Sequence, residues 1–441
     1  MIFCLLFSVF FIIYFTIHPI KYKKIPINMA TSSIIILVFL IFFWIIKYND
    51  LLNWLIWNEQ LNPRKILLIF FSIAYISIST DKTGIFDILS VKIINFSKWN
   101  TKKLFIFFFL FASIITIFTS NDITILTLTP IIFYLWKHSK INILPFLFIE
   151  FFTANTLSMA LITWNPANII IADTLNIWFF QYFKTMIFPI LVASLSNYII
   201  LYNIFKKDLK SNFSFKINYK PNIESYKNMV THIIFMLFMI LTLLLSDFIW
   251  IHIYQIVLFY LWIFILIDLL YYLLNEKNIN FKNSHFIVSF KKLPWSIWPF
   301  IYTLFVIIWV FVNTNIFVNF VYFLNNNIHT ILWWILKVWF LSLFIANIIS
   351  NQAMSILFSH ILINPNFIIN KEILKWIIYS IVISANLAAN LTIIWSLAGF
   401  MWKKILSSKW INITYFQFLK IWLSTTILTA FVTYLALYII L

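Results

Sequence analysis

Residues 119–130 read TSNDITILTLTP and set Ser120, Asn121 and Asp122 side by side, with Thr124 just beyond, inside an apolar run from Phe105 to near Lys137. A hydroxyl, a carboxamide and one carboxylate together suit the ligation of a small ion better than covalent chemistry. An acid at depth in hydrocarbon is costly and usually functional, which makes Asp122 the first candidate for proton coupling and Glu150, in LFIEFF, the second. A matching polar triplet, Ser350, Asn351 and Gln352 in ISNQ, follows 230 residues later. Two more apolar stretches are interrupted in the same way. ANTLSMALITWNPANI (154–169) carries Asn155, Asn165 and Asn168 around Pro166, and SANLAANLTIIWSLAG (384–399) carries Asn386, Asn390 and Ser396. Broken helices offer free N–H groups to anions and free carbonyls to cations, so these four segments are expected to build one ion or substrate site.

The elements that position them follow from composition. Of the 441 residues, 63% are hydrophobic and only 10% charged, which excludes a soluble globule, where about 25% are charged. Apolar stretches of about 20 residues, the length that crosses a bilayer core, recur throughout. The N-terminal stretch 1–17 reads as a first span, since it lacks a basic leader and a small-residue cleavage site. The same unit is legible twice. PRKI at 63 and PWSI at 294, TGIF at 83 and TNIF at 314, and Asn155 with Trp164 against Asn386 with Trp395 all recur at an offset of 231. The expected fold is an all-α polytopic membrane protein of two inverted repeats, each with five transmembrane helices, a re-entrant hairpin and a broken helix. The first repeat spans 1–205, with hairpin 104–136 and broken helix 142–171. A basic cytoplasmic linker, 206–230, joins it to a second repeat at 231–441, with hairpin 329–362 and broken helix 373–400. Irregular backbone at membrane depth is tolerated only when protein or a water-filled cavity surrounds it, so the polar tips should line a site.

Charge sets the orientation. With the N-terminus outside, 23 of the 31 basic residues fall in connections on one side, while 313–328 on the other side carries no charge. Basic loops mark the cytoplasm, so both termini are expected to be external. The basic residues form no patch interleaved with stacking aromatics, which argues against nucleic acid. One cysteine, Cys4, excludes disulfides and thiolate clusters, and no histidine pair has metal-ligand spacing in the sequence, so no metal or cofactor is expected. An intramembrane enzyme would need clustered His, Asp and Glu or a soluble catalytic loop, and neither is legible.

SNDITILTLTPI (120–131), ANTLSMALITWNPANI (154–169), KKLPWSIWPF (291–300), NIISNQAMSIL (347–357) and SANLAANLTIIWSLAGFMW (384–402) resemble, in order and spacing, the arsenical pump membrane permease family of the ion transporter superfamily. STDKTGIFDIL (79–89) is similar to the segment before that family's first hairpin. The resemblance implies proton-coupled extrusion of arsenite or antimonite across a bacterial cell membrane, in some members with a soluble ATPase subunit, and a homodimer. The alternatives are a sodium/proton antiporter, a dicarboxylate carrier, which Asp122 disfavours, and a degenerate transporter. The family is glycine-rich at its tips, whereas this chain keeps only Gly84 and Gly399. A non-glycine residue at a left-handed tip position costs about 1 kcal/mol or more.

Overall fold

Side-chain caps start many of the helices. Asn28, Asn62 and Asn100 each accept two backbone N–H groups of the first turn that follows, and Asn165, Ser225, Ser284 and Ser350 each accept one. The computed structural model describes residues 2–22, 25–46, 62–98, 100–139, 141–210, 225–275, 281–325, 331–367, 370–388, 390, 397–409, 411 and 413–440.

The first half opens with α1 (Ile2–Ile17) and α2 (Met29–Phe42), which flank a short antiparallel ladder of β1 (Ile20–Tyr22) and β2 (Ile25–Ile27) with Ile20 opposite Ile27. α3 (Pro63–Lys82) and α4 (Ile85–Phe96) lead into α5 (Thr101–Phe118) and α6 (Asn121–Ser139). Next come α7 (Leu144–Leu157), a 3-10 turn at Ile162–Trp164, α8 (Pro166–Thr174) and the long α9 (Phe179–Phe205). The second half opens with α10 (Tyr226–Ile249), α11 (Ile253–Asn275) and the short α12 (His285–Lys291). It then runs through α13 (Ile297–Val312), α14 (Asn315–Asn325), α15 (Ile331–Ile349), α16 (Asn351–Leu362), α17 (Lys371–Ala388), α18 (Leu397–Ser408) and α19 (Tyr415–Ile440). Since α10 begins at Tyr226, residues 226–230 of the expected linker are helical.

The protein is all-α and polytopic apart from that three-residue ladder. Among the described residues, six helices are long and apolar enough to cross a membrane, and α13 with α14, bent by 79°, makes a seventh as a pair. Their outer faces are apolar. Leu237, Phe238, Leu241 and Leu245 on α10, and Phe259, Trp262, Leu266 and Leu270 on α11, are all exposed. Such continuous apolar surface suits hydrocarbon and not water.

Both expected hairpins bend at their polar triplets. Thr116 Oγ1 lies 2.8 Å from Thr124 Oγ1. A straight helix would set residues eight apart at about 12 Å, so α6 doubles back along α5. In the second hairpin α15 packs against α16, and the bend is Ser350, with φ 91°. The first broken helix is interrupted between Leu157 and Pro166. In the second, α17 ends at Ala388 and α18 begins at Leu397; residues 389 and 391–396, which include Ser396, lie outside the described residues.

Packing pairs recur across the halves. α5 packs on α7 as α15 does on α17, and α3 packs on α11 as α13 does on α2. The two halves also cross over: α6 packs against α18, and α16 packs against α8. α9 and α19, the last helices of each half, lie against each other.

Candidate functional site

The first hairpin tip is a helix start. Ser120 caps α6, its Oγ accepting the Ile123 N–H at 3.3 Å, and the side chain of Asn121 accepts the Asp122 N–H at 2.9 Å. Asn121 Nδ2 also donates to Asn155 Oδ1 at 3.2 Å, which ties the tip to the C-terminal end of α7. Thr124 is buried, bonded to Thr116 and to the Ser120 carbonyl. Asp122 is 9% exposed, and its Oδ1 has no hydrogen-bond partner. A carboxylate oxygen buried without a donor is costly and is poised to take a cation or proton.

Asp122 borders a small cavity of about 50 Å³ with Ser120, Thr163, Trp164, Lys292 and Met401. A water needs about 10–15 Å³ on this measure, so the space suits a few waters or one small ion. Its lining joins α3, through Phe70, Ile73, Ala74 and Ile78, to the start of α6, to the broken stretch before α8, to α18, and to the segment that follows α12. Lys292, Thr163 and Trp164 are absent from the sequence-based set. Lys292 is read there only as an orientation signal, and nothing in its local pattern places it at the rim of this cavity.

The two broken helices meet through Asn386 of α17. Its Oδ1 accepts from Ser158 Oγ and from Asn165 Nδ2, each at 2.8 Å. Its Nδ2 donates to Asn168 Oδ1 at 2.7 Å and to the Val382 carbonyl at 2.8 Å. All four of its hydrogen-bonding positions are filled by protein. Asn168 is similarly spent, donating to the Ser158 and Leu161 carbonyls, and Asn165 Oδ1 caps α8 through the Ala167 N–H. These three carboxamides form a cross-half fastening.

The second tip is buried as well. Ser350 caps α16 through the Ala353 N–H, and the Asn351 carbonyl accepts from Ser355 Oγ. Gln352 is buried beside them. Asn351 Oδ1, Asn155 Nδ2 and both polar atoms of Asn390 are buried without hydrogen-bond partners. The expected site residues therefore fall into two groups. Asn165, Asn168 and Asn386 satisfy one another, whereas Asp122, Asn155, Asn351 and Asn390 keep buried polar atoms open. No hydrogen bond joins the two tips among the described residues. Glu150 is fully buried on α7, where Oε1 accepts from Thr129 Oγ1 at 2.7 Å while Oε2 has no partner.

A second buried polar cluster lies outside the expected site. His232, Asp268 and His285 are buried together, one ligand atom of each lying within 4.8 Å of the others, although no histidine pair has metal-ligand spacing along the chain. Ser79 also joins them, yet this is no Ser-His-Asp relay. Ser79 and Asp268 both face Nε2 of His232, whereas a relay needs them on opposite ring nitrogens. Compared with known proteins, residues 10–384 match the family model described as "Citrate transporter".

Proposed function

The chain belongs to the citrate transporter family, whose members are secondary membrane carriers, and from that premise we propose that it moves a small carboxylate anion of the citrate class together with a cation. The observation that carries this reading is the make-up of the Asp122 cavity. The N-terminus of α6 and Lys292, an exposed lining residue whose charge also acts on Asp81, offer positive character for a carboxylate, and the open oxygen of Asp122 offers a seat for the coupling cation. Asn155, Asn351 and Asn390 extend the polar surface available to the substrate. The matching helix order of the two halves and the crossed packing of α6 on α18 and of α16 on α8 support alternating access between inverted repeats, with the tips as moving parts. At about 50 Å³ the cavity is tighter than a tricarboxylate needs, and this reading takes it as the contracted, occluded form.

The same tightness favours a second reading, extrusion of a small neutral hydroxide such as arsenite, which the sequence resemblance implies. One experiment separates them. Purified protein is reconstituted in liposomes, and uptake of labelled citrate and of arsenite is followed under imposed proton and sodium gradients. Gradient-dependent citrate uptake is expected. It should fall at least about tenfold in Asp122→Asn, and Lys292→Ala should raise the citrate KM about tenfold or more, the size of one lost charge-assisted hydrogen bond. Arsenite transport without citrate transport would favour the second reading; transport of neither by wild type would sink both.

A further inference from the structure

Outside the lining of that cavity, though sharing α3 with it, α3, α10, α11 and α12 converge on Asp268, whose side chain is fully buried. Asp268 Oδ1 lies 3.0 Å from His232 Nε2 and 3.6 Å from His285 Nε2. Ser79 Oγ is 2.9 Å from His232 Nε2, 3.1 Å from His285 Nε2 and 3.1 Å from Asp268 Oδ1. Ligands bound at about 2.0–2.1 Å around a tetrahedral zinc stand about 3.3–3.4 Å from one another. Five of the six separations, from 2.9 to 3.6 Å, bracket that edge length, and the sixth, between the two imidazoles, is within 4.8 Å.

The surrounding groups orient the ligands. A carbonyl can only accept, so the 2.9 Å contact with the Asn228 carbonyl puts a proton on His232 Nδ1. A neutral ring then turns the bare Nε2 lone pair towards Asp268. The hydroxyl of Tyr75 donates to the other carboxylate oxygen at 2.5 Å. Fixing an imidazole tautomer through its far nitrogen, and a carboxylate through its outer oxygen, is how metal ligands are usually held. A bare Nε2 and a carboxylate oxygen 3.0 Å apart repel unless a cation lies between them. A proton and a metal ion compete for that place.

We propose that His232, His285 and Asp268 bind one divalent transition-metal ion, zinc above all, with the Ser79 hydroxyl or a water in the fourth position. The Ser79 carbonyl also lies 3.0 Å from His285 Nε2, so loading would turn that nitrogen from the carbonyl to the ion. None of these residues borders the Asp122 cavity, so the ion is a resident clasp between α3 and the opening helices of the second half, separate from the transported species.

The test uses full-length wild-type protein in nanodiscs, purified through a tag without histidine, stripped with chelator and titrated with Co²⁺ alone. The expected result is visible absorption of tetrahedral cobalt saturating at about one equivalent, displacement by Zn²⁺, and proton release on binding. Zinc should also raise the unfolding midpoint of wild type by several degrees, and chelator should reverse the rise. His232→Gln with His285→Gln should lose the absorption and the bound equivalent. Two results overturn the proposal: cobalt binding that survives unchanged in the double variant, or a wild-type midpoint that moves with neither zinc nor chelator. No transport is measured, so failure here leaves the citrate reading untouched, and the converse holds too.

Discussion

The two hairpin tips differ at single residues. Ser350 holds φ 91° and ψ 158°, a region essentially reserved for glycine, whereas Ser120 at the matching place has no positive φ. Such a residue stores about 1–3 kcal/mol of strain. Its hydroxyl returns little, because a glycine N-cap is only a few tenths of a kcal/mol worse than serine. Ser350→Gly should therefore stabilise the protein by about 1 kcal/mol, visible as a higher unfolding midpoint in nanodiscs. A lower midpoint would mean that the backbone there is not strained. The second difference is chemical, since the counterpart of Asp122 in the second tip is Gln352. The candidate site has one tip carboxylate, so coupling at the tips should depend on a single acid.

Among the elements, the broken helices divide into parts that fasten and parts that stay open. Asn386→Ala would leave Ser158, Asn165 and Asn168 each short of a buried partner, at a cost of about 2–4 kcal/mol together. The expected outcome is a lower unfolding midpoint, with citrate KM changed less than by Lys292→Ala; an unaltered midpoint would refute the fastening role. Glycine scarcity shows at helix ends too. Trp44 and Trp250 sit left-handed at φ 55° and 56° just past α2 and α10, where glycine is the usual residue. Trp250 is exposed but packs edge-to-face on Trp178, with ring centroids 5.7 Å apart, so in Trp250→Gly the relief of about 1 kcal/mol of left-handed strain is offset by a lost contact of similar size, and the unfolding midpoint should change little. A break at each polar triplet was legible in the sequence, because such a triplet inside an apolar run has few other uses: α5 ends at Phe118 with α6 beginning at Asn121, and α15 ends at Ile349 with α16 beginning at Asn351. The division of labour among the asparagines was not legible, since it depends on which carboxamide meets which across 218 residues or more.

For the whole molecule, sidedness is the open expectation, and the single cysteine makes it straightforward to test. In a Cys4→Ser background, cysteines placed at exposed Lys207 and Lys291 should react with a membrane-impermeant maleimide only from the cytoplasmic side. Cysteines at exposed Asn313 and Trp250 should react only from outside. Labelling of all four from one side would overturn the arrangement. What the sequence could not reveal at this scale is the Asp268 cluster. Ser79, His232, Asp268 and His285 each look isolated on their own helices, and only the docking of α3 against α10, α11 and α12 joins them.

That docking also has an order in time. A ribosome releases Ser79 and Tyr75 long before their partner, 189 and 193 residues ahead of Asp268, while His285 emerges after it. An aspartate costs an inserting helix up to about 2.5–3.5 kcal/mol at its centre, and less at Asp268, seven residues from the end of α11, until it is paired. α11 thus enters the bilayer carrying a charge whose partners are already in place on α3 and α10, with the last ligand still to be synthesised. A nascent chain cut short before residue 285 therefore carries the buried aspartate with one of its two imidazole partners missing.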